Sequence, residues 1–347
     1  MLTQSIKTAA ERLNQGELVA FPTETVFGLG ADAENIDAIA KIYQIKGRPS
    51  NHPVIVHLAP GADLSYWAKQ IPHEAELLIK AFWPGPLTLI LKRADHIPAA
   101  VSGGQDTVGV RCPSHPTAQA LLREFAQQRA NAQGGLAAPS ANKFGQVSPT
   151  QSKHVMAEFF DEIEKGQLWV LDGDDSEVGI ESTIVDVSRV AEGVPATLLR
   201  PGHISRQQLA EVLGYEPRAK DEEAPRVSGS LKAHYAPQTL LQWLPRESQA
   251  IAQLIEKLQS IDTTEVSQNW AVLVFEPELL PMVKGVDYIQ MPKDATEYAK
   301  RLYRLLRELD QQDYTRIAVQ PLPEDESWEA VNDRLQRAAA AFEESSI

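Results

Sequence analysis

The chain reads as a two-domain α+β protein: a larger mixed-sheet domain, a tether, and a smaller parallel α/β domain of Rossmann-like pattern. Three observations predict this. Its 347 residues exceed what one ordinary core holds. Short apolar runs with few helices fill the first part, whereas strands alternate with helices in the last. Between them lies linker composition, with Pro217, Lys220-Asp221-Glu222-Glu223, Pro225 and Ser228-Gly229-Ser230. The expected boundaries are 1–213, 214–237 and 238–347.

Residues 4–15 place Ile6, Ala9, Ala10 and Leu13 on one helical face, and Gly16 ends that helix. Leu18 to Phe21 reads as a buried strand. Ile36 to Ile45 reads as a helix with Ile39, Ile42 and Tyr43 as its apolar side. Strands are expected at Val54–Leu58, Leu87–Leu91, Thr107–Val110, Leu168–Leu171, Thr183–Val187 and Thr197–Leu199. Leu77 to Phe82 is a helix end, stopped by the Pro84-Gly85-Pro86 turn. His115–Gln127 and the serine-capped Ser205–Leu213 complete the first domain's helices. In the last domain, Thr239–Leu244, Trp270–Phe275 and Arg316–Val319 read as strands. Ile251–Leu258, Ala295–Leu309 and Trp328–Phe342 read as helices, the middle one striped by Tyr298, Leu302, Leu305, Leu306 and Leu309.

Composition narrows the function. Hydrophobic content of 43% and charged content of 23% suit a soluble globular chain. No apolar run approaches the roughly 20 residues that span a bilayer, and residues 1–16 lack a signal-peptide core. The single cysteine, Cys112, excludes an internal disulfide and a cysteine-rich zinc site. A cytoplasmic location is the expectation. Net charge is −14, with an acidic excess in both parts of the chain, so strong non-specific nucleic-acid binding is not expected. A local basic pocket remains compatible with that balance. No Walker A sequence, G-x-G-x-x-G or G-x-S-x-G elbow is present.

The richest segment is Phe21-Pro22-Thr23-Glu24-Thr25-Val26-Phe27-Gly28-Leu29-Gly30, a strand ending in a hydroxyl-rich turn. The turn either caps the strand or faces a ligand with Thr25, and Gly28 and Gly30 favour the second by allowing close backbone approach. Lys46 and Arg48 are either solvated surface or a cation pair aimed into a pocket for anions. After them, Pro49-Ser50-Asn51-His52-Pro53 stiffens the loop, and the next strand carries His57, a core histidine or a site residue. Arg111 ends a strand, where it meets either a ligand or a carboxylate partner. Ser140 and Ser148 lack the acid–histidine context of a nucleophile and read as hydrogen-bond donors to phosphate or ribose, with Asn142 a second polar side chain in the turn of Ser140. Ser182 opens a strand and Arg200 closes one. Tyr235, at the tether's end, is an inter-domain packing residue or a lid.

Taken in order, eight segments resemble the threonylcarbamoyl-AMP synthase family, whose catalytic unit is the YrdC-like domain. They are Pro-Thr-Glu-Thr-Val-Phe-Gly-Leu-Gly, Lys-x-Arg-Pro with a downstream His, Trp83-Pro84-Gly85-Pro86-Leu87-Thr88, Arg111, Ala-Pro-Ser-Ala-Asn, Glu-Ser-Thr-Ile, Leu-Arg-Pro-Gly and His-Tyr-Ala-Pro, running from Phe21 to Pro237. The residues before His234 depart from the family's more usual Gly-Met-Lys-Tyr. The longer family form adds a C-terminal α/β domain after such a tether. The resemblance implies that L-threonine, bicarbonate and ATP give L-threonylcarbamoyl-adenylate and pyrophosphate, with Mg²⁺ assisting. The product would feed threonylcarbamoyladenosine formation at position 37 of tRNA by a partner threonylcarbamoyl-transferase complex. It implies threonine contacts at Thr25, His57, Arg111, Ala138 (through its backbone) and Ser182. It implies ATP contacts at Arg48, His52, Thr107, Ser140, Asn142, Ser148, Arg200 and Tyr235, with Lys46 and Arg48 acting on the reacting charges and no resident protein-bound metal. A carbamoyl-adenylate enzyme of hydrogenase maturation shares this domain type but needs cysteine-rich zinc fingers, which one cysteine cannot supply. An RNA-binding or ribosome-maturation factor of the same fold is the alternative.

Overall fold

Leu18–Phe21 is apolar throughout and buried at every position, as a strand covered on both faces must be. Leu18 and Ala20 enter one core with Ile39 and Ile42 of the helix Ile36–Lys46. Val19 and Phe21 enter another with Ala9 and Leu13 of the helix Ile6–Asn14 and Leu121, Leu122 and Phe125 of Pro116–Gln127. The period of two along the strand thus sorts its side chains between two helical layers.

The computed structural model describes residues 1–245, 253, 269–280 and 282–343. It divides into two compact units, Met1–Phe144 with Ser148–Ser230, and Gly145–Val147 with Leu231–Ile347. The first unit's strands are β1 (Leu2–Thr3), β2 (Leu18–Phe21), β3 (Gly28–Asp32), β4 (Ile55–Leu58), β5 (Ala68–Gln70), β6 (Leu87–Arg93), β7 (Thr107–Arg111), β8 (Gly135–Ala137), β9 (Leu168–Leu171), β10 (Thr183–Asp186), β11 (Thr197–Arg200) and β12 (Arg218–Ala219). They form a sheet in the order β1-β9-β2-β3-β8-β4-β7-β6-β10-β11-β12, with β5 on β6. Parallel pairs such as β4–β7 and β6–β10 mix with antiparallel pairs such as β2–β3 and β6–β7.

Local chemistry sets the helix ends. Asn35 accepts a hydrogen bond from the Ala38 amide to start Ile36–Lys46, and left-handed Gly47 (φ 63°) stops it. Ser205 and Gln208 form a reciprocal capping box on Arg206–Leu213.

Some elements escape the periodicity. β3 holds two glycines and β8 is three residues long, so neither reads as a strand. The glycines of β3 have a packing reason: a Cβ on Gly30 would lie 2.8 Å from the Phe21 ring, and one on Gly28 3.3 Å from it. They make room for Phe21, and at Gly28 also for the Ala138 side chain, which lies equally close. The helices Ser152–Glu158 and Phe160–Glu164 are too short to show a stripe.

The second unit contains β13 (Leu240–Trp243), β14 (Trp270–Val274), β15 (Val286–Gln290) and β16 (Arg316–Val319), all parallel, in the order β13-β16-β14-β15. The expected stripe of Ala295–Leu309 is buried, with Tyr298, Leu302 and Leu306 nearly inaccessible. The expected helix 251–258 falls outside the described residues apart from residue 253.

Candidate functional site

The turn after β2 is built by its own hydroxyls. Thr23 Oγ1 donates to the Val26 carbonyl at 2.6 Å and lies 2.9 Å from Thr25 Oγ1. This holds Thr25 toward the end of β7, where Arg111 Nη1 donates to Thr25 Oγ1 at 2.8 Å. Arg111 Nη2 pairs with Glu24 Oε1 at 2.6 Å, and Nε donates to the Gly85 carbonyl at 3.3 Å. Thus the Pro-Thr-Glu-Thr turn and the Pro-Gly-Pro turn meet on one guanidinium, and both readings of Arg111 meet there too: it sits at a candidate site and it has a carboxylate partner.

His57 lies beside Arg111 because β4 and β7 are parallel and in register at that pair. Its Nδ1 is 3.3 Å from the Ile55 carbonyl, and its ring stands edge-on to Phe21. Burial first, and the charge of Arg111 second, push its pKa down to about 3. Burial alone would raise the Glu24 carboxyl, but the charge and hydrogen bond of Arg111 offset it and leave the pKa below the ordinary value. Ala138 follows β8, and its amide donates to the Ile55 carbonyl, so a backbone contact there would use its own carbonyl. Ser182 precedes β10, with its hydroxyl 2.8 Å from Thr88 Oγ1 of β6. Thr25, His57, Arg111 and Ala138 therefore gather at neighbouring strand ends, with Ser182 joined through Thr88.

Three further cations, Lys46, Arg48 and Arg200, are held by backbone carbonyls. Lys46 ends its helix buried, and its ammonium donates to the Ser140 carbonyl at 2.6 Å and to the Asn142 carbonyl. The Lys-x-Arg and Ser-x-Asn segments are thereby one structure; Asn142 Nδ2 donates to the Lys143 carbonyl. Arg48 donates to the Pro53 carbonyl at 2.7 Å and lies over Phe144, onto which His52 also packs edge-on. Burial, then Arg48 and Arg226, lower the His52 pKa. Arg200 holds the Ser182 carbonyl with Nε and Nη2, at 3.1 and 2.9 Å, and the Ser228 carbonyl with Nη1 at 2.9 Å. Ser228 Oγ also accepts from Arg48 at 3.4 Å. Thr107 opens β7 and lines a cavity of about 360 Å³ whose charged lining is mixed, with Lys92, Arg189 and Arg226 beside Asp106, Glu192 and Glu223. Ser148 donates to Glu181 at 2.6 Å.

Tyr235 belongs to the second unit. It is buried, in left-handed backbone (φ 61°), with the Tyr303 ring at 5.8 Å and the Arg334 guanidinium 5.3 Å from its own ring. Sequence reasoning assigned no part to Glu24, Thr88, Glu181 or Ser228. The first three stand inside the quoted motifs, but nothing in a linear pattern says which neighbour an acid or hydroxyl will meet.

Comparison with known proteins adds the following. A family profile described as "Telomere recombination" matches residues 11–202, and one described as "Threonylcarbamoyl-AMP synthase, C-terminal domain" matches 204–340. A threonylcarbamoyl-AMP synthase of Pyrococcus abyssi is 35% identical, the match covering 96% of this chain and 94% of that one. One of Bacillus subtilis is 36% identical, covering 96% and 92%. The crystal structure of P. abyssi Sua5 complexed with L-threonine superposes with a TM-score of 0.81 at 34% identity, covering 96% of this chain and 94% of that chain.

Proposed function

The chain belongs to the threonylcarbamoyl-AMP synthase family, and on that premise we propose how its residues divide the reaction. Its activity is that of the family, with ATP and L-threonine as substrates. In our reading bicarbonate is the third substrate, and the product is L-threonylcarbamoyl-adenylate with release of pyrophosphate. The observation that carries the assignment of residues is the pinned guanidinium of Arg111 beside the neutral ring of His57. A buried cation with fixed orientation suits the carboxylate of an amino acid. Thr25, Ser182 and the Ala138 carbonyl would supply the remaining polar contacts.

The amine of threonine must be neutral to attack bicarbonate or the carbon dioxide derived from it. The carbamate then attacks the α-phosphate, and pyrophosphate leaves. Two anions have to approach each other, so positive charge placed in advance offsets their repulsion. Lys46, Arg48 and Arg200 are the proposed sources, with His52, Thr107, Ser140, Asn142 and Ser148 orienting the nucleotide. No group of three or more His, Cys, Asp or Glu side chains that could hold a metal occurs among the described residues. In this proposal Mg²⁺ arrives with the phosphates of ATP, whose charge it neutralises. A carbamate and a mixed anhydride both hydrolyse readily, so exclusion of water matters as much as positioning.

We further propose that the expected tether 214–237, whose residues up to Ser230 belong to the first unit and include β12, joins the catalytic unit to the C-terminal one. The adenylate would pass to a tRNA threonylcarbamoyl-transferase complex in the cytoplasm. No described helix is long and apolar enough to cross a membrane. Incubation with labelled bicarbonate, L-threonine, ATP and Mg²⁺ should give a labelled adenylate and pyrophosphate only when threonine is present. Threonine-independent label, or none, would reject the reaction.

A further inference from the structure

Glu24 is a charged side chain that the proposed reaction does not use. Its side chain is 5% exposed and that of Arg111 is 4% exposed, with 2.6 Å between their nearest oxygen and nitrogen. The contact joins the turn after β2 to the last residue of β7. A buried ion pair is a poor means of stabilising a fold, since desolvation of both charges consumes most of their attraction and a packed apolar pair often does as well. Its presence at a substrate-facing strand end therefore calls for a second explanation.

Geometry supplies one. A guanidinium on a long flexible stem can swing. Here each nitrogen meets an acceptor from a different position: Nη2 meets Glu24, Nη1 meets Thr25 and Nε meets the Gly85 carbonyl. Of these three acceptors only Glu24 bears charge, and so it contributes the strongest restraint. Charge balance points the same way. The Glu24–Arg111 pair is formally neutral, and so is the zwitterion of an α-amino acid. Binding of the zwitterion therefore adds no net charge beside this buried pair, before the amine gives up its proton to become the neutral nucleophile, whereas an unpaired arginine would favour simple anions.

We propose that Glu24 is a positioning residue of the amino-acid subsite: it fixes Arg111 in the orientation that receives the substrate carboxylate, and it balances the pocket for a zwitterion. This rests on the proposed reading of Arg111 as the contact for the threonine carboxylate.

Steady-state kinetics of pyrophosphate release, with threonine and ATP varied in turn, test the proposal on the full-length protein. Glu24→Gln keeps the shape and removes the charge. It is expected to raise the threonine KM about 10- to 100-fold, by analogy with the loss at metal ligands deprived of their orienting partner. The ATP KM should stay within about twofold, because only interactions with the amino acid change. Glu24→Asp, which keeps the charge on a shorter stem, should recover part of the loss. The double variant Glu24→Gln/Arg111→Gln leaves no unpaired buried charge and should show the threonine KM of Arg111→Gln alone. A normal threonine KM in Glu24→Gln, when Arg111→Gln raises it, would overturn the role given to Glu24. Equal rises in both KM values, or additive effects in the double variant, would overturn it as well. If Arg111→Gln itself left the threonine KM unchanged, the reading of Arg111 would fail first.

Discussion

Burial holds the His57 ring neutral down to about pH 3, and this has a consequence for stability. An unfolded histidine takes up a proton near about pH 6.5. Between those values the unfolded state binds the extra proton, so the contribution of His57 is complete above the upper value and is lost as pH falls toward the lower. A His57→Gln protein has no such term. Between pH 7.5 and 5 it should lose about 2 kcal/mol less unfolding free energy than the parent, read from urea titrations at each pH. Parallel losses would show that His57 protonates normally in the folded chain. Lys46 makes a second prediction. Its ammonium bonds two backbone carbonyls of the Ser140–Asn142 loop, and hydrogen bonds to charged groups are worth more than neutral ones. Lys46→Met should lower stability by about 2 kcal/mol in the same titration, since both carbonyls lose their charged donor. A midpoint unmoved by the change would mean the carbonyls find other partners.

At the scale of elements, two glycines that look alike in the sequence differ in cause. Gly30 sits inside β3 with Phe21 against it, whereas Gly47 caps a helix in left-handed backbone with open space around it. Gly30→Ala should therefore cost about 1–3 kcal/mol through overpacking. Gly47→Ala should cost about 1 kcal/mol through backbone strain alone. Urea midpoints check both, and a larger loss at Gly47 would reverse the assignment. Combining Gly30→Ala with Phe21→Leu should regain part of the first loss by relieving the contact. This contrast shows where reading the chain stops. The helices Ile36–Lys46 and Ala295–Leu309 carry their own caps and stripes, so their periodicity is enough to find them. β3 and β8 carry no such signal: β3 is held between the nearby β2 and the distant β8, and β8 between β3 and β4, both distant in the chain.

At the scale of the whole molecule, a net charge of −14 sets the behaviour toward polyanions. Duplex RNA should bind weakly, with no steep fall in affinity between low and moderate salt. A steep slope in filter binding would revive the RNA-binding alternative. The sequence by itself determined the fold class, the ordered motifs from Phe21 to Pro237 and the residue types a synthase of this family needs, because these depend on local periodicity and on short strings of residues. Tertiary structure alone decided which of those residues meet. Arg111 and Glu24 lie far apart in the chain, as do Lys46 and the Ser140–Asn142 loop, and Ser182 and Thr88. Each pair forms because strand order and register carry the two ends to one place. Burial there shifts the equilibria of His57 and Glu24, and no linear pattern of residues says how deeply a polar side chain is buried or which charge it meets.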